Sequence, residues 1–257
     1  MPDGSGSAPW FVHLPPMTTE PVRLFTFGHA GSGCATFAET AKMLADSAEV
    51  WSLNLPGRQA RFSEPARTEL GPLVEELADA IEPMTDKPYA VLGYCAGALV
   101  GYAVLAELGR RGLPRAEVFL PASYLPPPLG RPLAQALTAM PSDEFWAELI
   151  GLGGVPPRLA APAYRSIFEP GLRGDYALVA TYEDDVASID VPITVVAGRF
   201  DPVLKPEELA GWKARTSAAF NLKVIDSGHW ILDEGMPMLV DVVRAAICPR
   251  VEGVASP

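Results

Sequence analysis

The sequence is poor in the features that mark several protein classes. It has only three cysteines and three histidines in 257 residues. Cys34, Cys95 and Cys248 cannot all pair, and their spacing suits no metal site. Free thiols are therefore expected in a reducing compartment. No apolar run approaches the ~20 residues of a membrane-spanning helix. The first nine residues carry Asp3 but no basic cluster or apolar stretch, so no secretory signal is read and a cytoplasmic protein is expected. Positive charge is scarce too. Lys and Arg number 20 against 31 Asp and Glu, a net charge of −11 that lacks the basic footprint nucleic acid requires.

What is present is a core. Hydrophobic residues make up 49% and charged residues 20%, and the length fits one large α/β domain or two small ones. Strand and helix patterns alternate. Strands are read at residues 22–27, 50–55, 89–92, 118–120, 193–197 and 222–225. Helical spacing runs through 34–45, 70–84, 96–108, 206–215 and 238–248. The alternation implies an α/β fold with a mostly parallel central sheet and helices on both faces. From Pro126 to Asp190 the rhythm breaks into helical patterns and loops. An insertion of that length in an α/β sheet reads as a helical lid, and it is short for an independent domain. The expected organisation is a flexible N-terminal arm at 1–18, core at 19–125, lid at 126–190, core at 191–250 and a tail at 251–257.

Chemistry concentrates at three places. Gly93-Tyr94-Cys95-Ala96-Gly97 lies between a strand and a helix, the setting of a nucleophile elbow with Cys where Ser is usual. Small flanking residues let strand and helix approach, and the helix N-terminus favours negative charge at Cys95. Asp201 and His229 each follow a later strand, which gives the order nucleophile, acid, base of the α/β-hydrolase fold. His229 is expected to take the thiol proton and Asp201 to hold the imidazole. The Ala96 N–H is expected as one oxyanion donor, and the Ala30 N–H, in the loop after the first core strand, as the other. His29 is a rival base, while His13 is expected to have no role. Cys34 and Cys248 are read as residues that open and close helices. Asp184 and Asp185 are read as solvated. In the lid, Phe145, Trp146 and Tyr182 are possible substrate contacts, with plain packing as the alternative.

Further segments carry a resemblance. Phe27-Gly28-His29-Ala30-Gly31, Leu55-Pro56-Gly57-Arg58-Gln59-Ala60-Arg61, Pro141-Ser142-Asp143-Glu144-Phe145 and Leu172-Arg173-Gly174-Asp175-Tyr176 join the elbow, Gly198-Arg199-Phe200-Asp201-Pro202 and Gly228-His229-Trp230. Together they resemble the type II thioesterases of polyketide and nonribosomal peptide assembly lines. The resemblance implies an acyl substrate held by phosphopantetheine on an acyl or peptidyl carrier protein. It implies no metal and no dissociable cofactor. The departure is Tyr94-Cys95, where that family usually has His-Ser. Cys at this place is similar to the thioesterase-like Dieckmann cyclases that release tetramic acids and pyridones. Cyclisation is thus the leading expectation. An editing hydrolase, an acyltransferase or macrocyclase, and a non-catalytic docking module stay open. Arg58, Arg61, Arg110 and Arg111 are possible contacts for an acidic carrier, with solvated surface arginines as the alternative.

Overall fold

The structure, a computed structural model, describes residues 8–155, 161–185 and 187–247. Cys248, the tail at 251–257 and the start of the expected arm lie outside them.

The core elements in chain order are β1 (Phe11–His13), β2 (Arg23–Phe27), α1 (Ala38–Met43), β3 (Glu49–Leu53), α2 (Leu70–Ile81), β4 (Tyr89–Tyr94), α3 (Ala96–Arg110) and β5 (Val118–Ala122). The insertion expected as a lid follows as α4 (Arg131–Ala139), α5 (Ser142–Gly151) and α6 (Pro162–Ala180). The core resumes with β6 (Ile193–Gly198), α7 (Pro206–Leu209), β7 (Phe220–Ile225), α8 (Ile231–Glu234) and α9 (Met236–Ile247).

The seven strands form one sheet in the order β1-β3-β2-β4-β5-β6-β7. All neighbouring pairs are parallel except β1 with β3. Parallel strands are buried on both faces, which explains the near-continuous apolar runs of β4 and β6. One face packs Leu73 and Leu77 of α2, Leu99 and Val104 of α3, and the lid. The other packs Ala41 of α1 and Leu239, Val240 and Val243 of α9. The expected α/β-hydrolase architecture is thus the observed one. The central strands β4, β5 and β6 run parallel, so their carboxyl ends share one edge, where such sheets build their sites.

Three expectations need correction. The arm at 1–18 is not flexible throughout. Phe11–His13 pairs antiparallel with β3, and the buried Phe11 ring meets Phe25 and Phe27 edge-on at 5.2 and 5.7 Å. A three-residue strand is too short to display a period of two, so its pattern was not legible. The stretch expected as one helix at 34–45 begins with a 3-10 turn at Cys34–Phe37 before α1. Residues 206–215 divide likewise into α7 and a 3-10 turn at Ala210–Arg215. Among the described residues no helix is long and apolar enough to cross a membrane.

Candidate active site

Cys95 sits between β4 and α3 with φ 52° and ψ −130°. A β-carbon-bearing residue at this φ is strained, and the strain persists only where the surroundings over-determine it. They do so here. The Cys95 N–H donates to Ala122 O on β5 at 2.9 Å, and Cys95 O accepts from Ala98 N at 2.8 Å. A β-carbon at Gly97 would collide with the carbonyl oxygens of Phe27 and Gly28, and one at Gly93 would fall 2.5 Å from Ala98 Cα. Both glycines are therefore steric requirements of the turn.

Asp201 and His229 meet at the ends of β6 and β7. Gly198 makes this approach possible, because a β-carbon there would strike the Gly228 and Ser227 carbonyls. The Phe200 N–H donates to Ser227 O at 3.0 Å and ties the two loops. His229 Nδ1 donates to Asp201 Oδ2 at 2.8 Å. Asp201 Oδ1 accepts from the Val203 and Leu204 N–H groups at 2.8 and 3.0 Å. The Asp201 side chain is only 1% exposed. Burial alone would raise its pKa, but hydrogen bonds from His229 and the two backbone groups, with the histidine's charge, hold it below the ordinary value. For His229, burial works downward. Its hydrogen bonds to Asp201 and Cys95 and their negative charges outweigh that and push the imidazole up to about 10. The site therefore favours a protonated imidazole between the Asp201 carboxylate and the Cys95 side chain.

How His229 is braced is not legible in the sequence. Its carbonyl accepts from Tyr94 Oη at 2.9 Å and Ser123 Oγ at 3.3 Å. Tyr94 thus supplies a hydroxyl that buttresses the base. Tyr124 and Tyr176 were also missed. Burial raises both phenols, and the negative charge of Cys95 adds to the rise, which puts both hydroxyls within its electrostatic reach.

The loop at 28–33 carries Ala30. Ala30 lines one small crevice with Ala96, Gly97 and Val100, so the two expected oxyanion donors share a pocket wall. His29 Nδ1 donates to Ala30 O at 2.9 Å, and its ring meets Tyr94 and Trp230 edge-on. Asp201 pairs with His229. His13 lies on β1, stacked on Trp51 at 4.6 Å.

The three lid aromatics are buried. Phe145 and Trp146 are fully buried. Phe145 meets Tyr176 edge-on, with the Arg173 guanidinium 4.3 Å from its ring centroid. The indole N–H of Trp146 donates to Glu169 at 2.8 Å. Tyr182 is buried, and its hydroxyl donates to Asp184 at 3.1 Å. Asp184 is exposed, as expected, and accepts two bonds from Arg215, at 2.7 and 2.8 Å. Arg58 and Arg61 correct the expectation of surface arginines, being 8% and 4% exposed. Arg61 binds Glu64 and the Asn54 carbonyl, and Arg58 binds Asp175. Arg110 and Arg111 are at the surface, both paired with Glu107.

Fold and site together define an enzyme of α/β-hydrolase architecture with an elbow, a histidine and a carboxylate in that class's order. The chain belongs to the Thioesterase domain family, which it matches over residues 22–247. It is 27% identical over 250 residues to the gramicidin S biosynthesis protein GrsT of Aneurinibacillus migulanus, covering 94% of this chain and 96% of that protein. Among solved structures it resembles RedJ, a thioesterase of the prodiginine pathway in Streptomyces coelicolor, with 28% identity, a TM-score of 0.78 and coverage of 89% and 87%. The type II thioesterase BorB of the borrelidin cluster shares the fold at a TM-score of 0.82 and 23% identity, over 95% of this chain and 99% of that one.

Proposed function

We propose that the protein takes an acyl chain from a carrier-protein phosphopantetheine thioester onto Cys95 and releases it by intramolecular Dieckmann cyclisation to a tetramic acid or pyridone. The observation that carries the reading is a thiol on the strained elbow, hydrogen-bonded to a histidine that Asp201 holds. Relatives named for gramicidin S and prodiginine biosynthesis support an assembly-line setting.

The Cys95 sulfur attacks the thioester carbonyl, and the His229 imidazolium gives its proton to the departing pantetheine thiolate. Acyl transfer between two sulfurs is nearly neutral in energy, so the chain stays activated. Acylation also removes the interaction with Cys95 that helps raise His229. The imidazole, now neutral, is free to take a proton from the CH₂ between two substrate carbonyls. The resulting carbanion attacks the Cys95 thioester, a C–C bond forms, the C–S bond breaks, and the sulfur leaves with the electron pair. The ring closure gains from effective molarity, and a lid that excludes water suppresses hydrolysis. No metal or dissociable cofactor takes part.

The test is incubation with an N-(β-ketoacyl)-aminoacyl pantetheine thioester and mass spectrometry of the products. Cyclisation gives free thiol and an acyl product without added water. The free acid would make the protein an editing hydrolase instead. Absence of both turnover and a Cys95 adduct would leave a docking module. Cys95→Ala is expected to abolish turnover, and Cys95→Ser to keep acyl transfer but shift it towards hydrolysis.

A further inference from the structure

Two segments singled out in the sequence, the Leu-Pro-Gly-Arg stretch and Arg173-Gly174-Asp175-Tyr176, have no part in the chemistry above. In the structure they meet. Arg58 Nη1 and Nη2 donate to the two carboxylate oxygens of Asp175 at 2.6 and 2.8 Å, a buried two-point pair between the loop after β3 and lid helix α6. Both partners have a second engagement with the 28–33 loop. Asp175 Oδ2 accepts from the Gly31 N–H at 2.6 Å, and Arg58 Nη1 donates to Ser32 O at 3.0 Å.

These contacts fix peptide planes. The Ala30–Gly31 peptide is gripped on both sides, its carbonyl by His29 Nδ1 and its N–H by Asp175. The His29 carbonyl accepts from Ser32 N at 3.0 Å. In a trans peptide the N–H opposes the carbonyl, so the Ala30 N–H points out of this turn. Gly31 has φ +78°, and a β-carbon on it would come within 2.8 Å of Leu172 on α6. The turn is thus closed by the lid helix itself.

We infer that Arg58 and Asp175 are positioning residues that clamp the 28–33 loop to the lid so that the Ala30 N–H is aimed as an oxyanion donor. The inference rests on the reading of Cys95 as the acyl acceptor. It makes the oxyanion hole complete only while α6 is seated, so lid closure and readiness to accept an acyl group are one event. An ion pair is suited to this because a two-point guanidinium–carboxylate contact fixes direction as well as distance.

The test separates two reactions of one sulfur in the full-length chain. Alkylation of Cys95 by iodoacetamide displaces iodide at a saturated carbon and forms no oxyanion. Acylation by an acyl-pantetheine thioester passes through one. In Asp175→Asn and in Arg58→Lys, single-turnover acylation is expected to fall about 10- to 100-fold, while alkylation stays within about twofold. Equal losses in both reactions would mean a general structural role and would overturn the proposal, as would acylation at the wild-type rate. If the wild type is alkylated at Cys95 but accepts no acyl group from the thioester, the nucleophile reading fails and the clamp with it. Should the variants not fold, hydrogen exchange on the unmodified protein decides. Amides of 28–33 and of 171–178 are expected to open together, and a loop that exchanges many times faster than the helix would overturn the coupling.

Discussion

At the scale of the residue, the chemistry depends on what His229 carries. Its pKa, about 10 against an ordinary 6.5, keeps a proton available for the leaving thiolate through neutral pH. Stability has the same sign. A group raised on folding contributes fully below its ordinary value, and the contribution fades as pH rises through about 10. Asp201, lowered on folding, contributes above its ordinary 3.8 and loses that as pH falls through its depressed value. Asp201→Asn removes a charge and a hydrogen bond that raise the imidazole. The alkaline fall of single-turnover acylation, followed by thiol release across pH, is therefore expected to move from about 10 towards 6.5. A limb that stays near its wild-type position would mean that Asp201 does not set the protonation of His229. Cys95, Asp201 and His229 were legible because each follows a strand at a chain position the fold prescribes. Tyr94 and Ser123 were not, because what they hold is a backbone carbonyl 135 and 106 residues away.

At the scale of the element, strand β4 and helix α3 are joined by a turn with no spare volume. Gly97 faces the backbone carbonyls of Phe27 and Gly28, which cannot rotate aside as a side chain would. Gly71, near the start of α2, is exposed and meets nothing within 4 Å. The same Gly→Ala change therefore takes opposite signs in two helices. Gly71→Ala is expected to stabilise by roughly 0.5–1 kcal/mol through helix propensity. Gly97→Ala is expected to destabilise by about 1–3 kcal/mol or more, as overpacking does. Denaturant unfolding of both variants reads the contrast, and equal effects would show that the elbow tolerates a β-carbon. The helices α2, α3 and α9 were visible in the sequence because each keeps an apolar stripe over at least three turns. Strand β1 and the Arg58–Asp175 pair were not. The first is too short to repeat its period of two, and the second joins residues separated by 117 positions.

At the scale of the whole molecule, the charge of −11 bears on how a carrier protein would arrive. Four arginines read from the sequence as a possible docking patch are already engaged. Arg58 and Arg61 are buried in internal ion pairs, and Arg110 and Arg111 are tied to Glu107, with Arg111 also reaching Asp79. An acidic carrier therefore approaches a molecule of the same sign with these cations spent. Long-range repulsion between two acidic proteins slows encounter, and salt screens it over a Debye length of about 8–10 Å near physiological ionic strength. Raising ionic strength from about 0.02 to 0.2 M is expected to lower KM for an acyl-carrier substrate several-fold while leaving kcat unchanged. KM for the same acyl group on free pantetheine, which is too small to feel the whole surface, is expected to stay constant. The two substrates together isolate the carrier's contribution, because acyl recognition at Cys95 is common to both. A KM that rises with salt for the carrier alone would mean that attraction dominates, and that a basic surface elsewhere on the chain receives it.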